Sequence, residues 1–139
     1  MPEVEFALLA NSAQVSSSDH LISMLGGGWD TVTLSEEAFP VGIVMTVVFR
    51  LLFDLEEVGE KYTGEVAVGS EEGDHLAAVT FTTEQRAVEA ELPPGGKIAV
   101  PLVIPVPVQF PRPGDYAVTI AIGGTVQKTV RMRMKVAGA

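Results

Sequence analysis

Turn-forming residues divide the chain into short apolar segments, and none of these segments repeats its apolar positions with the period of a helix. Twenty valines, 6 isoleucines and 10 threonines make up about a quarter of the 139 residues. A β-branched side chain is restricted in a helix and packs well on a pleated sheet, so this composition favours strands. Strands are predicted at residues 4–10, 20–25, 29–34, 41–53, 63–68, 76–83, 86–92, 97–108, 116–122 and 125–136.

Three prolines constrain the strand at residues 97–108. Pro101, Pro105 and Pro107 all occupy odd positions. Alternate residues of an antiparallel strand direct their backbone N–H groups towards opposite neighbours, so the three missing donors lie on one side of the strand. That side cannot form a normal ladder, and the segment is therefore predicted to be an edge strand.

The longest apolar run, residues 41–53, is apolar at nearly every position. This pattern is typical of a strand that is covered on both faces. A buried helix is the alternative, but Val44, Val47 and Val48 and the lack of helix caps weigh against it. The acidic stretch 54–61 that follows is predicted to contain one helical turn.

These elements predict an all-β fold, formed by residues 1–139 as a single domain. We expect one antiparallel β-sandwich of about seven to nine strands, immunoglobulin-like or jelly-roll in its connections. A closed barrel is less favoured, because the proline-containing strand requires a free edge.

Residue types that perform catalysis are scarce in this sequence. It has two histidines, His20 and His75, and no cysteine. Ser16, Asp19 and His20 are of the types found in a nucleophilic triad, but neighbours on one extended segment do not readily converge on a reacting atom. No G-x-S-x-G motif is present. We therefore predict that the protein is not an enzyme and has no catalytic, cofactor-binding or metal-binding residues.

Two acidic clusters are the segments most similar to a metal site. They are Asp54, Glu56, Glu57 and Glu60, and Glu71, Glu72 and Asp74 with His75 adjacent. Calcium loops usually place aspartate and asparagine at alternate positions, and neither cluster has that spacing. Both are interpreted as solvated loops that keep an apolar protein soluble.

The segment Gly26-Gly27-Gly28 precedes the single tryptophan, Trp29. Because residues after Gly28 resemble a strand and not a helix, the glycines are interpreted as a structural bend and not as a phosphate-binding loop. Trp29 is predicted to lie in the core. The alternative is an exposed platform for a ligand, formed by Trp29 and Asp30.

Charge is unevenly distributed along the chain, whose formal net charge is −9. Residues 1–97 hold 17 acids and 4 bases, whereas residues 98–139 hold 1 acid and 5 bases. Arg131, Arg133 and Lys135 alternate with apolar residues, which predicts one cationic face on the last strand. That face is either an ordinary surface, with cations opposite acids of a neighbouring strand, or a docking surface for an acidic partner such as another copy of the chain.

The overall charge argues against binding to nucleic acid or to an anionic membrane. The first residues carry two acids and do not resemble a secretory signal, and the apolar run at 41–53 is too short to span a bilayer. We expect a soluble protein of the cytoplasm.

Residues 5–16 (E-F-A-L-L-A-N-S-A-Q-V-S) and 21–31 (L-I-S-M-L-G-G-G-W-D-T) resemble the start of a small bacterial family of uncharacterised proteins. A central strand at 44–53, an acidic bend at 56–61 and the F-x-x-P-G-x-Y turn at 110–116 resemble its later features. The resemblance implies a bacterial β-sandwich of unknown function and supplies no active site. The Tyr116 turn also resembles the start of a late strand in immunoglobulin-like domains.

The expected function is that of a non-enzymatic interaction or assembly protein, which associates with itself or serves as an accessory subunit of a larger complex. The apolar composition and the separation of acidic from basic regions lead to this expectation. The alternative is a module that binds a small molecule or carbohydrate through Trp29 and neighbouring loops. No cofactor is expected.

Overall fold

The computed structural model describes residues 1–85 and 96–138. Its strands are β1 (Glu3–Ala10), β2 (Ser12–Val15), β3 (Ile22–Leu25), β4 (Thr31–Leu34), β5 (Val41–Phe53), β6 (Lys61–Ser70), β7 (His75–Glu84), β8 (Ile98–Phe110), β9 (Gly114–Ile122) and β10 (Thr125–Val136). Two single turns of 3-10 helix, Glu36–Ala38 and Leu55–Glu57, complete the regular structure of the described residues. The all-β prediction and the helical turn at 54–61 are confirmed.

The strands form three sheets. One has the order β1-β5-β8, another the order β4-β10-β9-β6-β7, and β2 pairs only with β3 in a hairpin. Neighbouring strands are antiparallel except β4 and β10, which run parallel. The expected single antiparallel sandwich of seven to nine strands is therefore not confirmed, because the described residues form ten strands in three sheets, one of them mixed.

The three-stranded and five-stranded sheets share one apolar core. Alternate residues of β5 face this core, and Phe49 among them is fully buried. Among the described residues, three aromatic pairs connect the sheets. Their ring centroids are 5.4 Å apart for Phe49 and Phe81, 6.0 Å apart for Phe53 and Tyr62, and 4.9 Å apart for Phe110 and Tyr116. The main buried contributors are Met45, Val47, Phe49, Leu51, Phe53, Val66, Val68, Val106, Phe110, Tyr116, Val118, Ile120, Ile122, Met132 and Met134.

Strand β8 lies at the edge of the three-stranded sheet, as the proline pattern predicts. Its even-numbered residues pack in the core, and Pro105 and Pro107 are exposed on the other face. Since a proline N–H is missing at each of these positions, the outer side of the strand cannot form a regular ladder with another chain.

Strand β5 is buried on both faces over residues 45–49, as predicted, but alternates in exposure at its beginning. The hairpin of β2 and β3 lies next to β5 and β8 on the side away from the core. Its more buried face is formed by Ala13, Val15 and Ile22. Val44, near the start of β5, is 61% exposed. The second layer over the three-stranded sheet is therefore partial.

Two details of the chain differ from the predictions. The predicted strands leave out residues 11–19, but Ser12–Val15 forms strand β2. Strand β4 begins at Thr31, so Trp29 lies in the preceding loop, outside the predicted alternation. The predicted strand at 86–92 lies outside the described residues. In the parts that are described, no helix is long and apolar enough to cross a membrane.

Candidate interaction surfaces

The last strand has the two faces that its sequence predicts. Arg131, Arg133 and Lys135 are exposed, whereas Met132 and Met134 are buried in the core. This follows from the period of two along a strand, since one face of β10 covers the core and the other does not.

Two of these three cations, Arg131 and Arg133, have acidic partners within the same chain. Arg131 lies 2.6 Å from a carboxylate oxygen of Glu71. The Nε of Arg133 donates to Oδ1 of Asp115 at 2.6 Å, on the neighbouring strand β9. Within residues 1–85 and 96–138, Lys135 forms no such ion pair. The fold thus brings basic residues of the C-terminal part next to acidic residues, so the charges that are separate in the sequence are partly paired in space.

The acidic clusters also have structural partners. Arg112 bonds to Glu72 at 2.9 Å and to Asp74 at 3.0 Å, and these hydrogen bonds raise its pKa. In the other cluster, Glu57 is buried and accepts the backbone N–H of Asp54 at 2.7 Å, which closes a capping box on the 3-10 turn. Among the described residues no group of three or more potential ligands could hold a metal ion.

The pair formed by Arg133 and Asp115 leads to a prediction about pH. The hydrogen bond and charge of Arg133 hold the pKa of Asp115 below its usual 3.8. A depressed pKa means that the pair stabilises the folded state above the unfolded pKa, and that this contribution is lost as pH falls through the folded pKa. In Arg133→Gln, NMR titration should show the pKa of Asp115 rising towards its usual value. Arg131→Gln should raise it less, because Arg131 acts on Asp115 only through its more distant charge; an unchanged pKa in Arg133→Gln would contradict the pairing.

The loop before β4 lines a cleft of about 550 Å³. Its apolar walls are Trp29 and Val32 on one side and Ile43 and Val44 of β5 on the other. The remaining lining comes from Ala10, Asn11, Thr31 and the three glycines, so no charged residue of the described ranges lines the cleft. Trp29, Val32 and Ile43 also pack against the core, so the cleft lies next to the core at the β4 side of the molecule.

Close approach of the chain explains two of the glycines in this loop. A Cβ at Gly26 would overlap the side-chain amide of Asn11, and a Cβ at Gly27 would overlap the sulfur of Met24. Gly28 has a φ of +86°, in the region that favours glycine. The bend predicted from the sequence therefore brings the hairpin and the Trp29 loop into contact.

Trp29 and Asp30 lie at different places on the surface. Trp29 is half-buried against the core and borders the 550 Å³ cleft. Asp30 borders a separate depression of about 430 Å³ with Arg131 and Arg133, where the backbone N–H of Arg133 donates to the Asp30 carbonyl at 2.8 Å. Asp30 therefore lies beside the cationic face of β10, whereas Trp29 lies at the cleft.

The hairpin of β2 and β3 was not among the sequence-predicted surfaces. Leu25 is 73% exposed and Leu21 64% exposed, the two highest values among the large apolar side chains of the described residues. Leu25 is the last residue of β3, and Leu21 immediately precedes the strand. The signal in the sequence was the short segment L-I-S-M-L, which is apolar on both faces. The residues Ser16, Asp19 and His20 form the turn that joins the two strands.

The comparisons with known proteins identify a family, and they assign no activity to the chain. The model of a family of unknown function (DUF6941) matches residues 5–135. No curated protein sequence matches the chain. A similar solved structure is that of the Pseudomonas fluorescens alkylpurine DNA glycosylase AlkC bound to DNA containing an abasic site analog. It is 11% identical with a TM-score of 0.39, and the match covers 93% of this chain and 30% of that chain, a likeness too low to carry an argument. Since the family model spans nearly the whole sequence, the chain belongs to the family of unknown function DUF6941.

Proposed function

We propose that the protein is a non-enzymatic interaction and assembly protein, and that it associates with a second copy of itself through the β2–β3 hairpin. The observation that carries this proposal is the exposure of Leu25 and Leu21 on a hairpin that belongs to neither of the core sheets. Exposed apolar side chains scattered singly are ordinary, but a cluster on one element marks a contact surface.

The hairpin is supported on one face only, and its edges are unpaired in the described parts of the chain. Two strands alone are marginally stable in water, and a third strand or a packed layer is usually needed. Here β2 contacts β5 and β8, but in the described parts of the chain neither outer edge of the hairpin has a neighbouring strand. A partner on the hairpin would cover Leu21 and Leu25 and protect these edges.

Charge favours the hairpin over the cationic strand as the contact between two copies. Each chain carries a formal charge of −9, so two copies repel at long range, and a contact with few carboxylates adds least to that repulsion. Strands β2 and β3 contain no charged residue, and Asp19, whose carboxylate accepts the backbone N–H of Leu21, lies in the turn between them. An acidic partner on Arg131 and Arg133 would instead have to displace Glu71 and Asp115, and for that reason the surface formed by Arg131, Arg133 and Lys135 is the weaker candidate.

The scaffold that we propose for this contact is a β-sandwich of immunoglobulin-like or jelly-roll type. Two sheets on one core support it, as does the hydroxyl of the buried Tyr116, which donates to the Arg112 carbonyl at 2.5 Å. A tyrosine that bonds to the backbone a few residues upstream is a feature of such sandwiches. The parallel pairing of β4 with β10 distinguishes this chain from a purely antiparallel version.

A second candidate function rests on the Trp29 cleft. Its volume of about 550 Å³ lies within the usual range for small-molecule pockets, and its walls are mostly apolar with one tryptophan. Among the residues that the structure describes, those lining the cleft are uncharged, and the ligand that we propose is therefore an uncharged compound with an apolar body.

The test of self-association is Leu25→Glu. A charge at the centre of an apolar contact should weaken the dimer at least about tenfold, since hot-spot residues contribute more than about 1.4 kcal/mol each. Light scattering should then show the wild type at twice the 14.7 kDa of one chain and the variant approaching a single chain. Leu55→Glu is the matched control, because Leu55 is 61% exposed on a different part of the surface. If both variants weakened the dimer equally, the result would contradict a role for the hairpin.

A further inference from the structure

The turn between β6 and β7 is a compact unit at the end of its hairpin. The register of the two strands shifts between Val68 and Gly69, so the ladder is already interrupted at the base of the turn. Inside the turn, the backbone N–H of Ser70 donates to the Asp74 carbonyl at 2.8 Å, and the N–H of Asp74 donates to the Ser70 hydroxyl at 3.0 Å. These bonds hold the turn in one shape.

The four residues of this turn, Glu71-Glu72-Gly73-Asp74, have no apolar side chain and are all exposed. Apolar packing therefore does not fasten the turn to the rest of the molecule. One backbone hydrogen bond leads from the turn to a neighbouring strand, where the N–H of Glu71 donates to the Asp115 carbonyl of β9 at 3.2 Å.

Ion pairs supply the other attachments of the turn. Arg112, which lies between β8 and β9, is 2.9 Å from a carboxylate oxygen of Glu72 and 3.0 Å from one of Asp74. Arg131 of β10 is 2.6 Å from a carboxylate oxygen of Glu71. Each of these side chains is at least 43% exposed, so dissolved salt screens the three pairs. An exposed pair of this kind shifts an equilibrium by about fivefold at most.

We propose that residues 71–74 form a strap that is latched by charge, and that the strap opens from β9 and β10 when its ion pairs are screened or removed. The strap contributes no side chain to the apolar core, so its opening leaves the two core sheets folded. Openings of this local kind cost less free energy than global unfolding, because few apolar contacts are lost. The proposal is independent of self-association through the hairpin.

Opening of the strap changes the charge that this end of the molecule presents. A hollow of about 250 Å³ lies between the two turns and is lined by Glu71, Glu72, Arg112 and Asp115, among others. In the closed form the chain's own carboxylates occupy the guanidinium groups of Arg112 and Arg131, and in the open form both groups are free. The strap is therefore an internal competitor for a carboxylate that would bind these arginines.

Hydrogen exchange of the Glu71 amide, followed by NMR, measures the opening, because this N–H is bonded to β9 in the closed form. Between about 0.01 M and about 1 M salt the Debye length falls from about 30 Å to about 3 Å, and the exchange should become about tenfold faster. The control amide is that of Gly123, which donates to the Thr63 carbonyl at 2.9 Å in a turn of two glycines. Its exchange should change by less than about twofold, since no ion pair holds it.

Two substitutions test the latch without salt. Arg112→Gln removes two of the three ion pairs and Arg131→Gln removes the third, so both should speed exchange of the Glu71 amide at low salt, the first more than the second. In the double variant, added salt should have no further effect. Arg50→Gln is the matched control, because Arg50 forms a similarly exposed ion pair with Glu5 between β5 and β1. It should leave the Glu71 amide unchanged.

Two results would overturn the strap. One is a Glu71 amide whose exchange responds neither to salt nor to the loss of Arg112. The other is an equal acceleration at Gly123, which would show that salt loosens the whole fold and not this turn. Both results leave the contact through the β2–β3 hairpin to be judged by its own test.

Discussion

Replacement of Phe49 by alanine is expected to lower the free energy of unfolding by about 3–5 kcal/mol. Phe49 is fully buried, lies on the central strand of the three-stranded sheet and faces the five-stranded sheet. Its ring is tilted against that of Phe81, with centroids 5.4 Å apart. Alanine would remove this contact between the sheets and leave a cavity that the surrounding strands cannot fill, because hydrogen bonds within each sheet hold their backbones in place.

Urea denaturation measures this effect. A domain of this size has a total stability of about 5–15 kcal/mol, so the midpoint should shift strongly while the slope stays unchanged. Val44→Ala is the control on the same strand, with a side chain that is 61% exposed, and should change the stability by no more than about 0.5 kcal/mol. Equal small losses in both variants would show that the two sheets do not share the core described above.

The second large effect is expected at Gly64, which lies directly opposite Phe81 on the paired strands β6 and β7. The ring of Phe81 covers the glycine, and a Cβ at residue 64 would overlap its far edge. Gly64→Ala should therefore cost about 1–3 kcal/mol, as for other cases of an overfilled core. Because Phe81 packs against Phe49, the displaced ring would disturb the contact between the sheets.

Gly42→Ala is the matched control for this substitution. A Cβ at Gly42 would meet only the flexible amide oxygen of Gln109, at 3.0 Å, and neither glycine has a left-handed backbone. Thermal unfolding should show a lower Tm for Gly64→Ala and little change for Gly42→Ala. Combining Gly64→Ala with Phe81→Leu should recover part of the loss, since the smaller side chain makes room for the methyl group. A neutral Gly64→Ala would contradict the close packing of the ring on the glycine.

Local sequence patterns predicted those structural features that depend only on the geometry of a single strand. The odd positions of Pro101, Pro105 and Pro107 predicted an edge strand, and the alternation of arginine with methionine in β10 predicted one exposed and one buried face. Both arguments need only the period of two along a strand. Glycine-containing turns at residues 69–73 and 123–124 likewise indicate hairpins, and β6 pairs with β7 and β9 with β10 there.

Features that depend on distant pairing were not predictable in this way. The parallel contact of β4 with β10 joins residues about a hundred positions apart, and no local pattern specifies it. The same pairing places Asp30 beside Arg133 and away from Trp29. The ion pair of Arg131 with Glu71 depends in turn on how the β6–β7 turn lies over the sheet. The cleft and the exposed hairpin were missed because both arise where separate sheets meet.

Sedimentation equilibrium of the wild-type chain at low and high salt tests self-association through a neutral surface most directly. Exposed charges are almost fully screened at about 1 M salt, where the Debye length is about 3 Å, whereas apolar contacts are not weakened. We predict a mass of twice 14.7 kDa at both salt concentrations. A mass of one chain under all conditions, or a dimer that dissociates as salt is added, would contradict the proposal.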